Sequence, residues 1–238
     1  MATTIQQSIN AVQSALGFWV PAVGTNSEPA ITAANMTQQI MLSPPFHFPW
    51  NRTQFTFQTI VGGQDYIEPI LDFGFIEIAT AAATNSLHTY PLKIQNITPI
   101  GESNDKQQPL TMGIQQNIPG TSVWFRFLGA PNGTYNVVVW YQKFLPLMTT
   151  LTGATGTWAA PDYMQYVYNR GFLAHLYEAK GDARAQQEKV AFAAALLATH
   201  EGLTDTEINL FLAQYLVNPR TTEGLQLKTQ QGVQARGQ

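Results

Sequence analysis

The sequence predicts an α+β protein: an antiparallel β-sandwich or small barrel, flanked by N-terminal helices and a C-terminal helical bundle. Three observations predict it. Apolar residues recur at helical spacing at both ends of the chain. Between them, apolar and polar residues alternate at strand spacing. Turn dipeptides and Gly/Pro pairs break the alternating stretch into short runs. The expected division is N-terminal helices over 1–45, a β-rich domain over 46–160, a C-terminal helical region over 161–217 and a flexible polar tail over 218–238.

Taken in order, the first helix is capped by Thr3 or Thr4, and Ile5, Ile9, Val12 and Leu16 form its stripe. Gly17 is a natural stop. A second helix starts at Ser27, with Glu28 and Pro29 in its first turn, and presents Ile31, Ala34, Ile40 and Met41. Ser43-Pro44-Pro45 ends it, since proline lacks the amide donor and restricts the residue before it.

The period then changes. Phe55, Phe57 and Thr59 alternate with Gln54, Thr56 and Gln58. A short strand is expected around Tyr66-Ile67, after the Gly62-Gly63 turn. Phe75–Ala79 and Leu87–Leu92 form a hairpin around Asn85-Ser86. Ser122–Leu128 is a strand with Val123, Phe125 and Phe127 on one face. The turn Pro131-Asn132-Gly133-Thr134 returns it as Tyr135–Tyr141, because Asn-Gly takes positive φ at little cost. These two runs are expected to be a strand pair.

The last third is helical again. One helix opens at Pro161-Asp162 with the stripe Tyr163, Tyr166, Val167, Leu173, Ala174 and Tyr177. Gly181-Asp182 breaks it. A second runs from about Asp182 to His200, with Ala185, Phe192, Leu196 and Leu197 inward. Thr204 and Glu207 form a capping box for a third, lined by Ile208, Phe211, Leu212, Tyr215 and Leu216.

Composition limits function. Charged residues are 11% of the chain, against about 25% in an average protein. Residues 1–160 hold seven acidic and five basic side chains; residues 161–238 hold eight and seven. So thinly charged a surface is poorly soluble unless Gln, Asn, Ser and Thr carry its polarity or partner chains cover it. The net charge is −3 and no basic run occurs, which argues against tight binding of DNA. There is no cysteine, so disulfide and thiolate chemistry are excluded. The N-terminus lacks the pattern of a signal peptide, and no apolar run is long enough to span a bilayer.

The search for chemistry finds little. His47, His88, His175 and His200 form no metal-ligand spacing, no Gly-x-Ser-x-Gly elbow occurs, and Gly153–Thr157 lacks the lysine of a phosphate loop. Asp65, Glu68, Asp72 and Glu77 cluster in sequence, but nothing sets two of them at a catalytic separation. Trp50, Trp124, Trp140 and Tyr141 could form a sugar-binding platform; at alternate strand positions, core is the simpler reading. The chain is therefore expected not to be an enzyme and to need no cofactor or metal.

One resemblance remains, and it lies in the order of elements. The segment Thr59-Ile60-Val61-Gly62-Gly63-Gln64-Asp65-Tyr66-Ile67-Glu68-Pro69 resembles the Thr-x-x-Gly-x-Gln-Asp-Tyr-x-x-Pro segment of tailed-bacteriophage head–tail connector adaptor proteins. Pro131 to Tyr141 resembles that family's Pro-x-x-x-Tyr-x-Val-x-Val-x-Tyr pattern. Pro161-Asp162-Tyr163 and Gly181-Asp182 stand where its helices open and break. The likeness runs through about residues 1–215. It implies a virion protein forming a homo-oligomeric ring, of twelve subunits, docked beneath the portal protein. Such a ring extends the channel for genomic DNA and receives the next tail or nozzle protein. Candidate assembly contacts are Trp50 and Arg52 ahead of the first strand, and Leu225, Leu227 and Val233, the apolar anchors of the tail.

Overall fold

Two short N-terminal helices follow from their caps and stripes. The computed structural model describes residues 3–16, 28–95, 105–158, 160–200 and 202–216. Strand β1 (Thr3–Thr4) leads into α1 (Ile5–Leu16). Thr4 closes a capping box: the Gln7 N–H donates to Thr4 Oγ1 at 3.2 Å, and the Thr4 N–H donates to Gln7 Oε1 at 2.8 Å. Ile5, Ile9, Val12 and Leu16 are all buried, as their spacing predicts. Helix α2 (Ala30–Met41) buries Ile31, Ala34 and Met41, together with Thr37 and Gln38. The Thr37 hydroxyl donates to Ala33 O at 2.8 Å, which satisfies it inside the helix bundle. The expected stop at Gly17 and start at Ser27 lie outside the described residues.

Strands fill the middle of the chain: β2 (Arg52–Gln58), β3 (Asp65–Glu68), β4 (Phe73–Ala83), β5 (Tyr90–Ile94), β6 (Lys106–Gln107), β7 (Thr111–Ile118), β8 (Ser122–Phe127), β9 (Ala130–Pro131) and β10 (Tyr135–Lys143). Seven of them form one sheet in the order β2-β10-β4-β5-β7-β8-β3. The sheet curls. Phe57 on β2 meets Tyr66 on β3 at 5.3 Å and Phe125 on β8 at 5.6 Å, although these strands belong to opposite ends of the order. The enclosed core is Phe57, Tyr66, Phe73, Phe125, Phe127 and Tyr141 with Ala79, Ala81, Val137 and Val139.

Two strand expectations change. β8 and β10 are not neighbours: β8 lies between β7 and β3, and β10 between β2 and β4. The tight turn expected at Asn132-Gly133 does not form: neither residue takes a positive φ. Alternation on each run fits any neighbour equally well, and the curled sheet pairs β10 with β2 and β4. The sheet is also mixed, since β5 and β7 pair in parallel. A parallel pair needs a long connection, which the residues between Ile94 and Thr111 provide. The β4–β5 hairpin forms as expected, with β5 starting at Tyr90 and Leu87 fully exposed in the turn.

The remaining elements are β11 (Thr157–Trp158), which pairs with β1, and helices α3 (Gln165–Lys180), α4 (Ala185–Leu197) and α5 (Asp205–Leu216). α3 is the central one; every residue from Gly171 to Tyr177 is buried. Gly171 permits this packing, because a Cβ there would stand 2.6 Å from Thr37 Cγ2 and 2.8 Å from the Phe192 ring. Its predicted stripe needs correction at the start: Tyr163 and Tyr166 are exposed, and Met164 and Tyr168 turn inward beside the expected Val167. A 3₁₀ turn over Asp162–Met164 precedes the regular helix and shifts its phase. Gly181 ends α3 at φ +67°, and Thr204 and Glu207 cap α5 reciprocally.

Contacts gather into two units: Met1–Met41 with Leu147–Gln238, and Leu42–Pro146. The helices from the two ends of the chain thus share one unit, where composition had suggested separate segments and a boundary near Pro161.

Candidate functional site

Of the residues singled out ahead of β2, Arg52 meets a half-buried acid, Glu77, and Trp50 packs beside Phe48. A 3₁₀ turn, Pro49–Asn51, delivers the chain into β2. Arg52 forms a two-pronged pair with Glu77: its Nε donates to Oε2 at 2.6 Å, and Nη2 donates to Oε1. The Glu77 side chain is only 8% exposed. His47 Nδ1 stands 3.6 Å from Oε1, and Gln142 Nε2 donates to Oε2 at 3.4 Å. Burial pushes the Glu77 carboxyl up, but the Arg52 guanidinium outweighs it, helped by Gln142 and His47, and the result lies below the usual carboxylate range. Gln142 itself is buried and clamps the Phe48 backbone, accepting its N–H at 3.2 Å and donating to its carbonyl at 3.2 Å. Trp50 is half-buried with its ring 5.2 Å from Phe48. Arg52 and Trp50 therefore have structural duties within the chain. Leu225, Leu227 and Val233 lie outside the described residues.

The four clustered acids serve separate ends. Asp65 faces Arg126 at 3.5 Å, Asp72 accepts the Tyr141 hydroxyl at 2.8 Å, and Glu77 holds Arg52. The Glu68 carboxyl meets no donor among the described residues, and burial pushes it up. The fold gives these carboxylates different partners rather than one shared centre. Among the described residues, no group of three His, Asp or Glu side chains could hold a metal ion.

The aromatic candidates separate as well. Tyr141 is core, and burial followed by the Asp72 carboxylate pushes its phenol up. Trp140 instead faces outward, 37% exposed. Trp124 is half-buried and lines an open cleft of about 160 Å³ with Ile67, Gln116, Ile118 and Ser122; its indole N–H is buried without an acceptor among the described residues. Core was the wrong reading for both tryptophans, because strand alternation places a residue on a face without saying which face is covered.

Around Trp140 the outer face of the sheet is flat in chemistry. Across β2, β10 and β4 the rows are Gln54–Trp140–Ile78, Thr56–Val138–Thr80 and Gln58–Asn136–Ala82. None of these positions carries a charge, and Ile78 is 49% exposed. This surface escaped sequence reasoning. The available signal was the run of uncharged residues at Gln54, Thr56 and Gln58 of β2 and at Asn136, Val138 and Trp140 of β10; the row before it carries the Arg52–Glu77 pair.

No protein-family model matches the chain, and no curated protein is significantly similar to it.

Proposed function

We propose that the chain is a structural subunit of a tailed-bacteriophage head–tail connector: an adaptor that forms a ring beneath the portal, extends the DNA channel and docks the next tail component. The observation that carries the reading is the pair of adjacent exposed apolar side chains, Trp140 and Ile78, in rows that otherwise hold only Gln, Asn, Thr, Val and Ala. Two large apolar side chains left side by side on a sheet face suit a surface for protein contact. The residues that carry the family likeness are fold-building ones, which suits a structural protein. Gln64 and Phe127 bond through backbone and side chain, and the Tyr66 hydroxyl bonds Ile60 and Gly63 in the β2–β3 loop. Val137 and Val139 are core. No helix among the described residues is long and apolar enough to cross a membrane.

A second reading, a carbohydrate-binding module of a baseplate, rests on the Trp124 cleft, where an indole stands beside the Gln116 amide and the Ser122 hydroxyl. Negative-stain microscopy of the full-length protein, paired with a glycan array, separates the two. The connector reading expects rings with a central hole wide enough for duplex DNA and no glycan signal. A monomer that binds glycans, and loses them in Trp124→Ala, supports the second reading and overturns the first.

A further inference from the structure

Among the described helices, α5 is the least covered. Only Phe211 is buried over Asp205–Leu216, against three residues in α4 and nine in α3. Its seat is a cluster of rings. The Tyr215 ring lies parallel to Phe211 at 5.6 Å, and edge-on to Phe192 of α4 at 5.6 Å and to His175 of α3 at 6.1 Å. The Lys189 ammonium stands 5.9 Å from the same ring. A long hydrogen bond, Gln186 Nε2 to Leu216 O at 3.4 Å, ties the end of α5 to α4.

This seat carries a cost. The Tyr215 hydroxyl and the His175 Nε2 are both sealed from water, and neither has a partner among the described residues. A polar group buried without a bond loses its hydration and gains nothing in return. Lifting α5 away gives the hydroxyl water and uncovers the side of His175 on which Tyr215 packs.

The helix itself does not depend on the seat. The Thr204 N–H and hydroxyl donate to Glu207 Oε2 at 2.9 and 2.7 Å, and the Glu207 N–H donates to Thr204 Oγ1 at 3.3 Å. Asp205 and Glu207 also place negative charge in the first turn, where the helix dipole favours it. These bonds stay within α5. Just ahead of them Gly202 takes φ +94°, a left-handed turn between α4 and α5 that glycine makes without strain.

We propose that α5 is a strap that swings off the α3–α4 pair as a unit, pivoting at Gly202, and so exposes Phe192, His175 and its own Phe211–Tyr215 face. α3 has no such freedom, since Gly171 is packed directly against Thr37 and Phe192. The motion belongs to the helices alone and does not require that the chain build a ring.

Hydrogen exchange of the full-length protein, read by mass spectrometry, tests it. The α5 amides should exchange together, on the order of a hundredfold faster than those of Gly171–Tyr177 in α3. Low urea should barely change the α5 rate but should speed α3, because swinging a strap exposes far less surface than unfolding. Tyr215→Phe keeps the ring and removes the unbonded hydroxyl, so it should slow α5 exchange about tenfold. Protection of α5 equal to that of α3 would overturn the proposal. So would exchange that is graded inward from Leu216, which is end fraying, or an α5 rate unchanged or raised in Tyr215→Phe.

Discussion

Glu77 shows how one residue's environment sets its duty. Its carboxylate is nearly sealed from water, and an unpartnered charge there would be costly. The Arg52 fork makes it tolerable and holds its pKa below the usual range against the upward push of burial. The sign follows from that depression. The stabilisation is fully present above the unfolded carboxylate value and is lost as pH falls through the lower folded value. Arg52→Ala should cost about 1–2 kcal/mol in urea unfolding at neutral pH, with solvent on the Arg52 side holding it below the cost for a fully buried pair. The deficit should shrink in acid, and Glu77→Gln in the same background should recover part of it. A variant as stable as the parent at neutral pH would show that the pair is dispensable. The sequence singled out Arg52 only as a candidate assembly contact, not as one half of an ion pair. Its partner was not legible, because the two are brought together only by the β10 strand between β2 and β4.

At the scale of elements, caps and stops read best, since they are local bonds between residues three or four apart. Thr4, one of the two threonines offered as a cap, caps α1 with Gln7 as its partner, and the Thr204–Glu207 box and the Gly181 stop form where the sequence places them. The face of α3 was harder, because its phase depends on a 3₁₀ turn and on burial nearly all round. Where α3 meets α4, Glu178 binds His175 at 3.4 Å and Lys189 at 2.6 Å. The His175 contact, then Lys189, pull its carboxyl down to about 2 against a rise from burial. This contribution is complete above the ordinary carboxylate value and disappears as pH falls toward about 2. Thermal melts should therefore show Glu178→Gln losing less stability than the parent between about pH 6 and about pH 2. Equal losses in the two proteins would show that Glu178 does not drive acid sensitivity.

For the whole molecule, the division into two units makes a prediction about fragments. Leu42–Pro146 contains every strand of the large sheet, and its two ends run side by side as β2 and β10. Expressed alone, it should keep a strand-type circular dichroism spectrum and a cooperative melt. Residues 147–238 alone should not fold, because α3 is packed on α1 and α2, and Gly171 sits directly against Thr37. Adding residues 1–41 in trans should restore a cooperative helical signal. A folded 147–238 fragment, or an unfolded 42–146 fragment, would contradict the division.

The α+β class, most helices, the principal strands and their inward residues were readable along the chain, because periodicity and capping act over a few residues. Strand order, the mixed sheet and the joining of both chain ends in one helical unit were not, since they arise from pairings between distant segments that compete on nearly equal local terms. The same divide runs through the candidate site. Trp50 and Arg52 stood out by type, and the strand run Arg52–Gln58 by its pattern. Which way Trp140 points, what Arg52 holds and which strand edges stay open became fixed only when the curled sheet chose a neighbour for every strand.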